Sequence, residues 1–312
     1  MEKYIEIHNV QKEIDNFKLG PINLNIEPGT VTALVGDNGS GKSTLLKMIM
    51  NLVNADSGTI KAFGEFVNGD NEEWKKQIAY QPQTTIGFDA FTGNDLNQLI
   101  SHWYPNWDQK LFIQMIDQLN VPLDKKFINL SQGVQQKLTL ALTIPRNTKV
   151  LILDEPTSFM DIPSKNLIID LLTEYLEDEE RAIILASHQA EDIKKLADYI
   201  MLLKSGRQLQ TIEKDVLTEN YRKYWFSNKL KGSPVPGEIY RSGNELVSNN
   251  ATETETYFSR HGMTAQQLES NFISPNVMGR KLAIHPLTII TVILAAKSGR
   301  NQYHRYKSEY DK

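Results

Sequence analysis

The chain has 312 residues, a formal net charge of −4 and 40% hydrophobic residues, and it contains no cysteine. That length and apolar content suffice for two modest domains with packed cores, while the missing cysteines exclude disulfides, thiol chemistry and cysteine-ligated metal sites. The acidic balance, without a basic stripe, argues against nucleic acid as a partner.

The N-terminal residues MEKYIEIHNV alternate polar and apolar side chains. This period of two predicts a strand at the edge of a sheet. The segment lacks the long apolar core of a signal peptide, so we expect a cytoplasmic chain.

A glycine-rich segment, GDNGSGKST, follows the apolar run Val31 to Val35 and precedes helically spaced apolar residues from Leu45 to Met50. This order predicts a strand, a phosphate-binding loop and a helix. Glycines let successive backbone N–H groups face phosphates at the positive end of that helix. Lys42 adds a positive charge, and Ser43 offers a hydroxyl to Mg²⁺. The residues expected to bind the nucleotide here are Gly36, Asp37, Asn38, Gly39, Ser40, Gly41, Lys42, Ser43 and Thr44.

The segment between Gln83 and Ser131 is rich in turn formers and aromatic residues. Its apolar spacing predicts helices at about Thr92 to His102 and Trp107 to Leu119.

The run Val150 to Leu153 is continuously apolar, as in a central strand of a parallel sheet that is buried on both faces. Asp154 and Glu155 follow at its carboxyl end, where ligands bind in doubly wound sheets. We expect Asp154 to hold Mg²⁺ through water and Glu155 to polarise the water that attacks the γ-phosphate. An isolated Asp-Glu pair would instead indicate a solvated turn, and the upstream phosphate loop favours the catalytic interpretation.

After Gln210 short strand-like stretches alternate with Gly, Pro and Asn, which predicts a small appended β-containing module. The segment from Thr264 to Ile273 predicts a short helix with Thr264 as its N-cap. The apolar run LAIHPLTIITVILAAK is shorter than the roughly twenty residues of a membrane span. Buried packing, a dimer contact and an interfacial segment held by basic flanks remain alternative interpretations of this run.

Four segments occur in a specific order: GDNGSGKST, LSQGV, VLILDEP and SH. In this order the chain resembles the nucleotide-binding subunits of ATP-binding cassette (ABC) transporters over roughly residues 1–212. The resemblance implies an α/β fold: a P-loop NTPase with a RecA-like parallel sheet core, an antiparallel β edge, a helical ABC subdomain at about 84–148, and a small C-terminal α+β extension at 213–312.

The resemblance also assigns roles to single residues. Gln83 in IAYQPQ is similar to the glutamine that contacts Mg²⁺ or the attacking water and senses the membrane subunit. Asp161 in SFMD is similar to the aspartate that communicates across a dimer, and His188 to the histidine that contacts the γ-phosphate. The implied catalytic residues are therefore Glu155, His188 and Gln83, and the implied metal-binding residues are Ser43, Gln83 and Asp154.

The family's signature segment is normally LSGGQ, and this chain has Gln132 and Val134 at two of its positions. Ser131 and Gly133 remain, and in the family they meet the nucleotide bound by the opposite protomer. Gln132 either crowds that approach or donates a hydrogen bond. The variant therefore fits either a fully active signature or the weakened half of an asymmetric pair.

The aromatic residue on which the family usually stacks adenine corresponds to Ile14 in this chain. Phe17 lies three residues further on and offers a π-face for the base. Core packing is the alternative role for Phe17, so recognition of the base stays open at the level of sequence.

The function implied by the resemblance is ATP binding and hydrolysis that power a separate transmembrane permease at the cytoplasmic face of the cell membrane. The implied cofactors are ATP and Mg²⁺, and the implied second partner is another ABC ATPase subunit, identical or paralogous. The phrase YPNWD and the variant signature resemble bacterial exporter ATPases for antimicrobial or amphipathic peptides. The alternatives are a soluble ABC ATPase without a transport role and a regulatory subunit with weak hydrolysis.

Overall fold

A computed structural model describes residues 2–226, 230, 232–261, 263 and 266–268. The chain forms two compact units. The first contains the described residues up to His188 together with Lys195–Gln208, and the second contains Gln189–Lys194 with the described residues from Leu209 onward. The predicted domain boundary after residue 212 stays a prediction.

Two sheets and several helices make up the first 213 residues. In chain order the elements are β1 (Ile5–Ile14), β2 (Phe17–Ile26), β3 (Val31–Val35), α1 (Lys42–Ile49), β4 (Ser57–Ala62), β5 (Glu65–Phe66), β6 (Ile78–Gln81), α2 (Gly93–Trp103), α3 (Gln109–Leu119), α4 (Gln132–Ala141), β7 (Val150–Asp154), α5 (Ile162–Tyr175), β8 (Ala182–Ala186), α6 (Ala190–Leu196), β9 (Tyr199–Lys204) and β10 (Arg207–Glu213).

The central sheet has the strand order β10-β9-β3-β8-β7-β6. Strands β9, β3, β8, β7 and β6 pair in parallel. The other sheet has the order β2-β1-β4-β5 and is antiparallel throughout. The N-terminal strand is therefore internal and flanked by β2 and β4, so its predicted edge position was wrong. Alternation reports that one face is buried, and it does not report how many neighbours a strand has.

Strand β7 divides its side chains between two hydrophobic cores. Val150 and Ile152 pack with α1 and the antiparallel sheet, whereas Leu151 and Leu153 pack with helices α2 to α5. Each fully buried aliphatic side chain of this kind contributes about 1.5–3 kcal/mol relative to an exposed one. The strand's ends are therefore fixed from both faces, and the residues that follow it begin from a rigid position.

The two helices predicted between Gln83 and Ser131 are present. Helix α2 begins after Thr92, which forms a capping box with Asp95. Helix α3 begins after Asp108, whose carboxylate accepts a hydrogen bond from the backbone N–H of Leu111. Both boundaries lie within two residues of the predicted ones, because short polar caps determine where a helix can begin.

The second unit includes a four-stranded antiparallel sheet in the order β12-β13-β11-β14. Its elements are α7 (Lys214–Asn220), β11 (Arg222–Trp225), β12 (Glu238–Ser242), β13 (Glu245–Ser248), α8 (Ala251–Arg260) and β14 (Gln266–Leu268). A small core of Tyr224, Phe226, Val235, Leu246 and Phe258 lies among them.

The helix predicted from Thr264 to Ile273 was wrong for its described part. Gln266–Leu268 is a strand that pairs antiparallel with Lys223–Trp225. Pairing with an existing sheet overrides local helix propensity. Residues 264–265 and 269–273 lie outside the described residues, as does the apolar run at 282–297.

Within the described ranges, no helix combines the length and the apolar character needed to cross a bilayer.

Candidate functional site

The glycine loop connects the buried strand β3 to helix α1. Gly41 immediately precedes the helix with a φ of 107°, a backbone conformation that favours glycine. At Gly36 a side chain is excluded for a different reason, since an added methyl group would lie 2.1 Å from the carbonyl oxygen of Leu203. The loop conformation therefore depends on glycine at both ends.

Lys42 is the first residue of α1 and is buried. Its Nζ donates hydrogen bonds to the carbonyl oxygens of Gly36 at 2.7 Å and Asp37 at 3.3 Å. Burial lowers the pKa of Lys42, while the carboxylates of Glu155 and Asp154 act to raise it. The ammonium group is thus held inside the curve of the loop, where a phosphate would complete its coordination.

A cavity of about 670 Å³ lies beside this loop. It brings together most of the residues predicted to bind nucleotide, the aspartate and glutamate after β7, and the turn between β1 and β2. Its lining residues are Ile14, Asp15, Asn16, Phe17, Asn38, Gly39, Ser40, Gly41, Lys42, Ser43, Thr44, Gln83, Asp154 and Glu155. Gly36, Asp37 and His188 contact lining residues without being among them.

Asp154 ends strand β7 and is almost completely buried. Burial raises the pKa of its carboxyl group, and a hydrogen bond with the hydroxyl of Ser43 acts in the opposite direction. Its Oδ1 has no hydrogen-bond partner in the described part of the chain. A buried carboxylate oxygen without a partner, beside a serine hydroxyl, is a donor set that suits Mg²⁺.

Glu155 follows directly, with its side chain buried and its backbone in the left-handed region at φ 53°. Its backbone N–H donates to the carbonyl oxygen of Ala186 at 2.8 Å, which connects it to the end of β8. His188 leaves the same strand end, and its Nδ1 lies 2.7 Å from Oε2 of Glu155. The structure therefore joins two residues that are 33 positions apart in the sequence.

Gln83 lies in the exposed loop after β6 and also lines the cavity. Gln83 thus lines the same cavity as Asp154 and Glu155, and its contact with Mg²⁺ or the attacking water stays a prediction. The neighbouring Gln81 is completely buried and donates to the carbonyl oxygen of Pro82 at 2.8 Å.

Ser131 and Gly133 lie at the start of α4 and are absent from the cavity lining of their own chain. Ser131 is the exposed N-cap residue, and its side chain makes no capping hydrogen bond. Gly133 lies close to the loop after β7, because an added methyl group would be 2.5 Å from the carbonyl oxygen of Phe159.

Asp161 caps helix α5 by accepting hydrogen bonds from Ser164. Its carboxylate also forms an ion pair with Lys137 of α4 at 2.8 Å. The sequence did not single out Lys137, or its neighbour Gln136, whose side chain contacts the backbone of Glu155. One signal could have indicated Gln136: it is a polar residue on the face of α4 that the apolar spacing predicts to be buried.

The turn between β1 and β2 also lines the cavity, and Ile14 and Phe17 flank it at the adjoining strand ends. Phe17 also packs against the first hydrophobic core and lies near Gly41. The two roles weighed for Phe17 are therefore compatible, and its contact with adenine stays a prediction.

Known proteins resemble this chain in sequence and in structure. A family model described as ABC transporter matches residues 19–158. The ABC transporter ATP-binding protein YtrB of Bacillus subtilis (strain 168) is 30% identical over 220 residues, covering 70% of this chain and 75% of YtrB. The xylose import ATP-binding protein XylG of Thermoanaerobacter pseudethanolicus is 30% identical over 236 residues, covering 70% of this chain and 46% of XylG.

A solved dimeric, post-hydrolysis state of the ATP-binding cassette MJ0796, bound to ADP and Pi, has a TM-score of 0.59 to this chain. Its sequence identity is 21%, and the alignment covers 67% of this chain and 98% of that one. This likeness confirms the P-loop α/β fold predicted from the sequence.

Proposed function

Because this chain belongs to the ABC transporter family, as an ATP-binding subunit with an ATPase domain, we propose that it hydrolyses Mg-ATP in a dimer and thereby drives a separate membrane permease. The observation that carries the proposal is the cavity in which Lys42, Asp154 and Glu155 converge at the ends of parallel strands. Ligands of doubly wound sheets bind at such ends.

Each of these side chains suits one part of the reaction. Lys42 and the backbone N–H groups of the glycine loop would bind the β- and γ-phosphates, and Ser43 with Asp154 would hold Mg²⁺. Mg²⁺, when bound, neutralises charge that develops on the phosphate oxygens. Glu155 would accept a proton from the attacking water, and His188, 2.7 Å from its carboxylate, would orient that carboxylate toward this water.

The second copy in the dimer is proposed because Ser131 and Gly133 lie outside their own cavity. A helix N-terminus with an exposed serine can bind the phosphate of a nucleotide held by another chain. Two large apolar side chains are exposed nearby, Phe159 at 69% in the loop after β7 and Ile162 at 75% at the start of α5. Contact with an identical or paralogous cassette would cover them.

The proposed permease contact involves helix α2 and the loop that contains Gln83. Trp103, the last residue of α2, is 70% exposed and available for this contact, whereas Tyr104 and Trp107 pack against the second core. Ile86 and Leu99 are exposed as well. Binding there would place the chain at the cytoplasmic face of the membrane.

Export of amphipathic or antimicrobial peptides is the most specific part of the proposal. It rests on YPNWD and on the variant signature, whereas XylG is a relative named for import. The test is a strain that lacks this chain: increased sensitivity to amphipathic peptides, restored by wild-type protein and not by Glu155→Gln, supports export. If the strain shows unchanged sensitivity to peptides and reduced uptake of a solute, the proposal of export is wrong and import takes its place.

The ATPase proposal is tested with purified protein. We expect wild-type chain to hydrolyse Mg-ATP with a specific activity that rises with protein concentration, because the site needs two chains. Glu155→Gln should bind ATP and remain dimeric without turnover, since the amide cannot accept the proton from water. Turnover by Glu155→Gln at the wild-type rate would overturn the role of Glu155.

A further inference from the structure

Helix α4 contacts the loop formed by residues 155–161, which follows β7 in the same chain. Gln136 reaches the first two residues of this loop, Gly133 packs against the backbone of Phe159, and Lys137 pairs with Asp161 at its end. The helix that carries the signature segment is therefore attached to the loop that carries Glu155.

Gln136 makes the contact closest to Glu155. Its side chain is buried, and Nε2 donates to the carbonyl oxygens of Glu155 at 3.1 Å and Pro156 at 3.0 Å. An amide nitrogen carries two hydrogens, so one group can satisfy both carbonyls. Since buried carbonyl groups without partners are costly, the two bonds favour this one arrangement of the loop.

The backbone at Glu155 needs such support. A left-handed conformation costs a residue other than glycine about 1–2 kcal/mol, and it persists only where surrounding contacts hold it. At Glu155 the N–H donates to the carbonyl oxygen of Ala186, and the carbonyl oxygen accepts from Nε2 of Gln136 at 3.1 Å and from the backbone N–H of Ser158 at 3.2 Å. The direction of the carboxylate follows from these backbone anchors together with two side chains: Nδ1 of His188 lies 2.7 Å from Oε2, and the hydroxyl of Ser158 lies 3.5 Å from it.

We propose that Gln136 is a positioning residue for hydrolysis, which fixes the peptide groups after Glu155 so that its carboxylate stays aligned with the attacking water. This inference rests on the proposed role of Glu155 as the base. Because Gln136 lies one helical turn after Gly133, the same contact connects the signature segment to this chain's own catalytic glutamate.

The primary test is Gln136→Met, which keeps the length of the side chain and removes both donors. We expect kcat for Mg-ATP to fall about 10- to 100-fold, because displacement of a catalytic group by about 1 Å can cost a hundredfold. KM should stay within about twofold, since Gln136 does not line the nucleotide cavity. Gln136→Asn, whose amide is too short to reach both carbonyls, should show the same split between kcat and KM.

The matched control is Thr143→Val. Thr143 is also buried, and its hydroxyl donates to the carbonyl oxygen of Thr139 at 2.7 Å, so this variant loses a buried hydrogen bond away from the 155–161 loop. Its kcat should equal that of wild type. Thermal unfolding of Gln136→Met shows whether its fold is intact. ATP-dependent dimerisation of the double variant Gln136→Met, Glu155→Gln shows whether nucleotide binding is intact.

The outcomes separate the two ideas. If Glu155→Gln abolishes turnover, the ATPase assignment stands. Gln136 is then not a positioning residue if Gln136→Met and Gln136→Asn keep the wild-type kcat, or if they lose ATP-dependent dimerisation. If Glu155→Gln hydrolyses ATP like wild type, both ideas fail.

Discussion

At the residue scale, the site is a group of buried charges that stabilise one another. Lys42, Asp154 and Glu155 are each less than one tenth exposed. Burial raises the pKa of Asp154 and lowers that of Lys42, and their opposite charges offset part of both shifts. Removing one member would leave another charge buried without compensation, so the residues that contact the group from its rim are better probes of mechanism.

His188 is such a rim residue, because its ring is half exposed while its Nδ1 contacts buried Glu155. We expect His188→Ala to lower kcat about 100-fold, because the carboxylate of Glu155 loses the contact that orients it, and misplacing a catalytic group by about 1 Å can cost that much. ATP affinity should change much less, since His188 does not line the cavity. Steady-state hydrolysis and nucleotide titration measure the two effects. His8→Ala, an exposed histidine on β1, is the control, and equal activities of the two variants would contradict the assignment.

At the scale of elements, helix α4 and the 155–161 loop behave as one packed pair. The close approach of Gly133 and the ion pair of Lys137 lie on successive turns of the helix. Movement of the helix start would therefore move the loop. These two contacts can be altered separately, because one depends on volume and the other on charge.

Gly133→Ala tests the volume contact. The added methyl group would be 2.5 Å from the carbonyl oxygen of Phe159, so the helix or the loop must shift. Overpacking of this kind costs about 1–3 kcal/mol in the free energy of unfolding. We expect that loss in urea denaturation, together with reduced ATP hydrolysis. Gln132→Ala, at the exposed neighbouring position, should leave the free energy of unfolding unchanged, and equal stability of the two variants would rule out the close contact.

Asp161→Asn tests the charge contact. The hydrogen bond from Lys137, followed by those from Ser164, holds the pKa of Asp161 far below its usual range. A lowered pKa in the folded chain stabilises it above the usual carboxyl pKa of about 3.9 and ceases to do so as the pH falls below that value. Asparagine keeps an oxygen at the N-cap and loses the ion pair.

Wild type should therefore be more stable than Asp161→Asn by a constant amount near neutral pH, with the difference shrinking on acidification below about pH 4. Urea denaturation across this pH range measures it. Asp108→Asn, at the N-cap of α3, controls for the change from aspartate to asparagine at a cap. A difference that is independent of pH would exclude the ion pair as its source.

At the scale of the whole molecule, Ser131 and Gly133 lie outside the cavity that Lys42 lines in the same chain. The proposed two-fold dimer would then contain two equivalent sites, each assembled from both chains. Such an arrangement predicts that two inactive variants can complement each other.

We expect Glu155→Gln and Ser131→Arg chains to be inactive separately. Ser131 is exposed, so the arginine should obstruct only the partner's nucleotide. When the two variants are dissociated and mixed in equal amounts, about half of the dimers should be hybrids. Each hybrid has one intact site of two, so the mixture should have about a quarter of wild-type activity. Hydrolysis before and after mixing measures this, with each variant mixed with itself as control. Absence of recovery would favour a paralogous partner over an identical one.

The sequence predicted best what depends on consecutive residues. The glycine loop and Asp154 were correctly placed because a strand, its turn and the following residues are one local structure. The contacts of Gln136 with Glu155, and of Lys137 with Asp161, were missed because they join segments whose separation only packing decides. The same reason explains the wrong edge position of β1 and the wrong helix at Gln266–Leu268, since neighbours in a sheet are chosen by the whole fold.

The left-handed backbone at Glu155 has a consequence for how this chain can diverge. A single nucleotide change can convert a glutamate codon into codons for glycine, aspartate, alanine or valine. Glycine and aspartate tolerate a positive φ, whereas β-branched valine is a poor fit there. A descendant that abandons hydrolysis but keeps the fold is therefore expected to reach glycine or aspartate at this position before valine, so conformation as well as chemistry limits the paths open to selection.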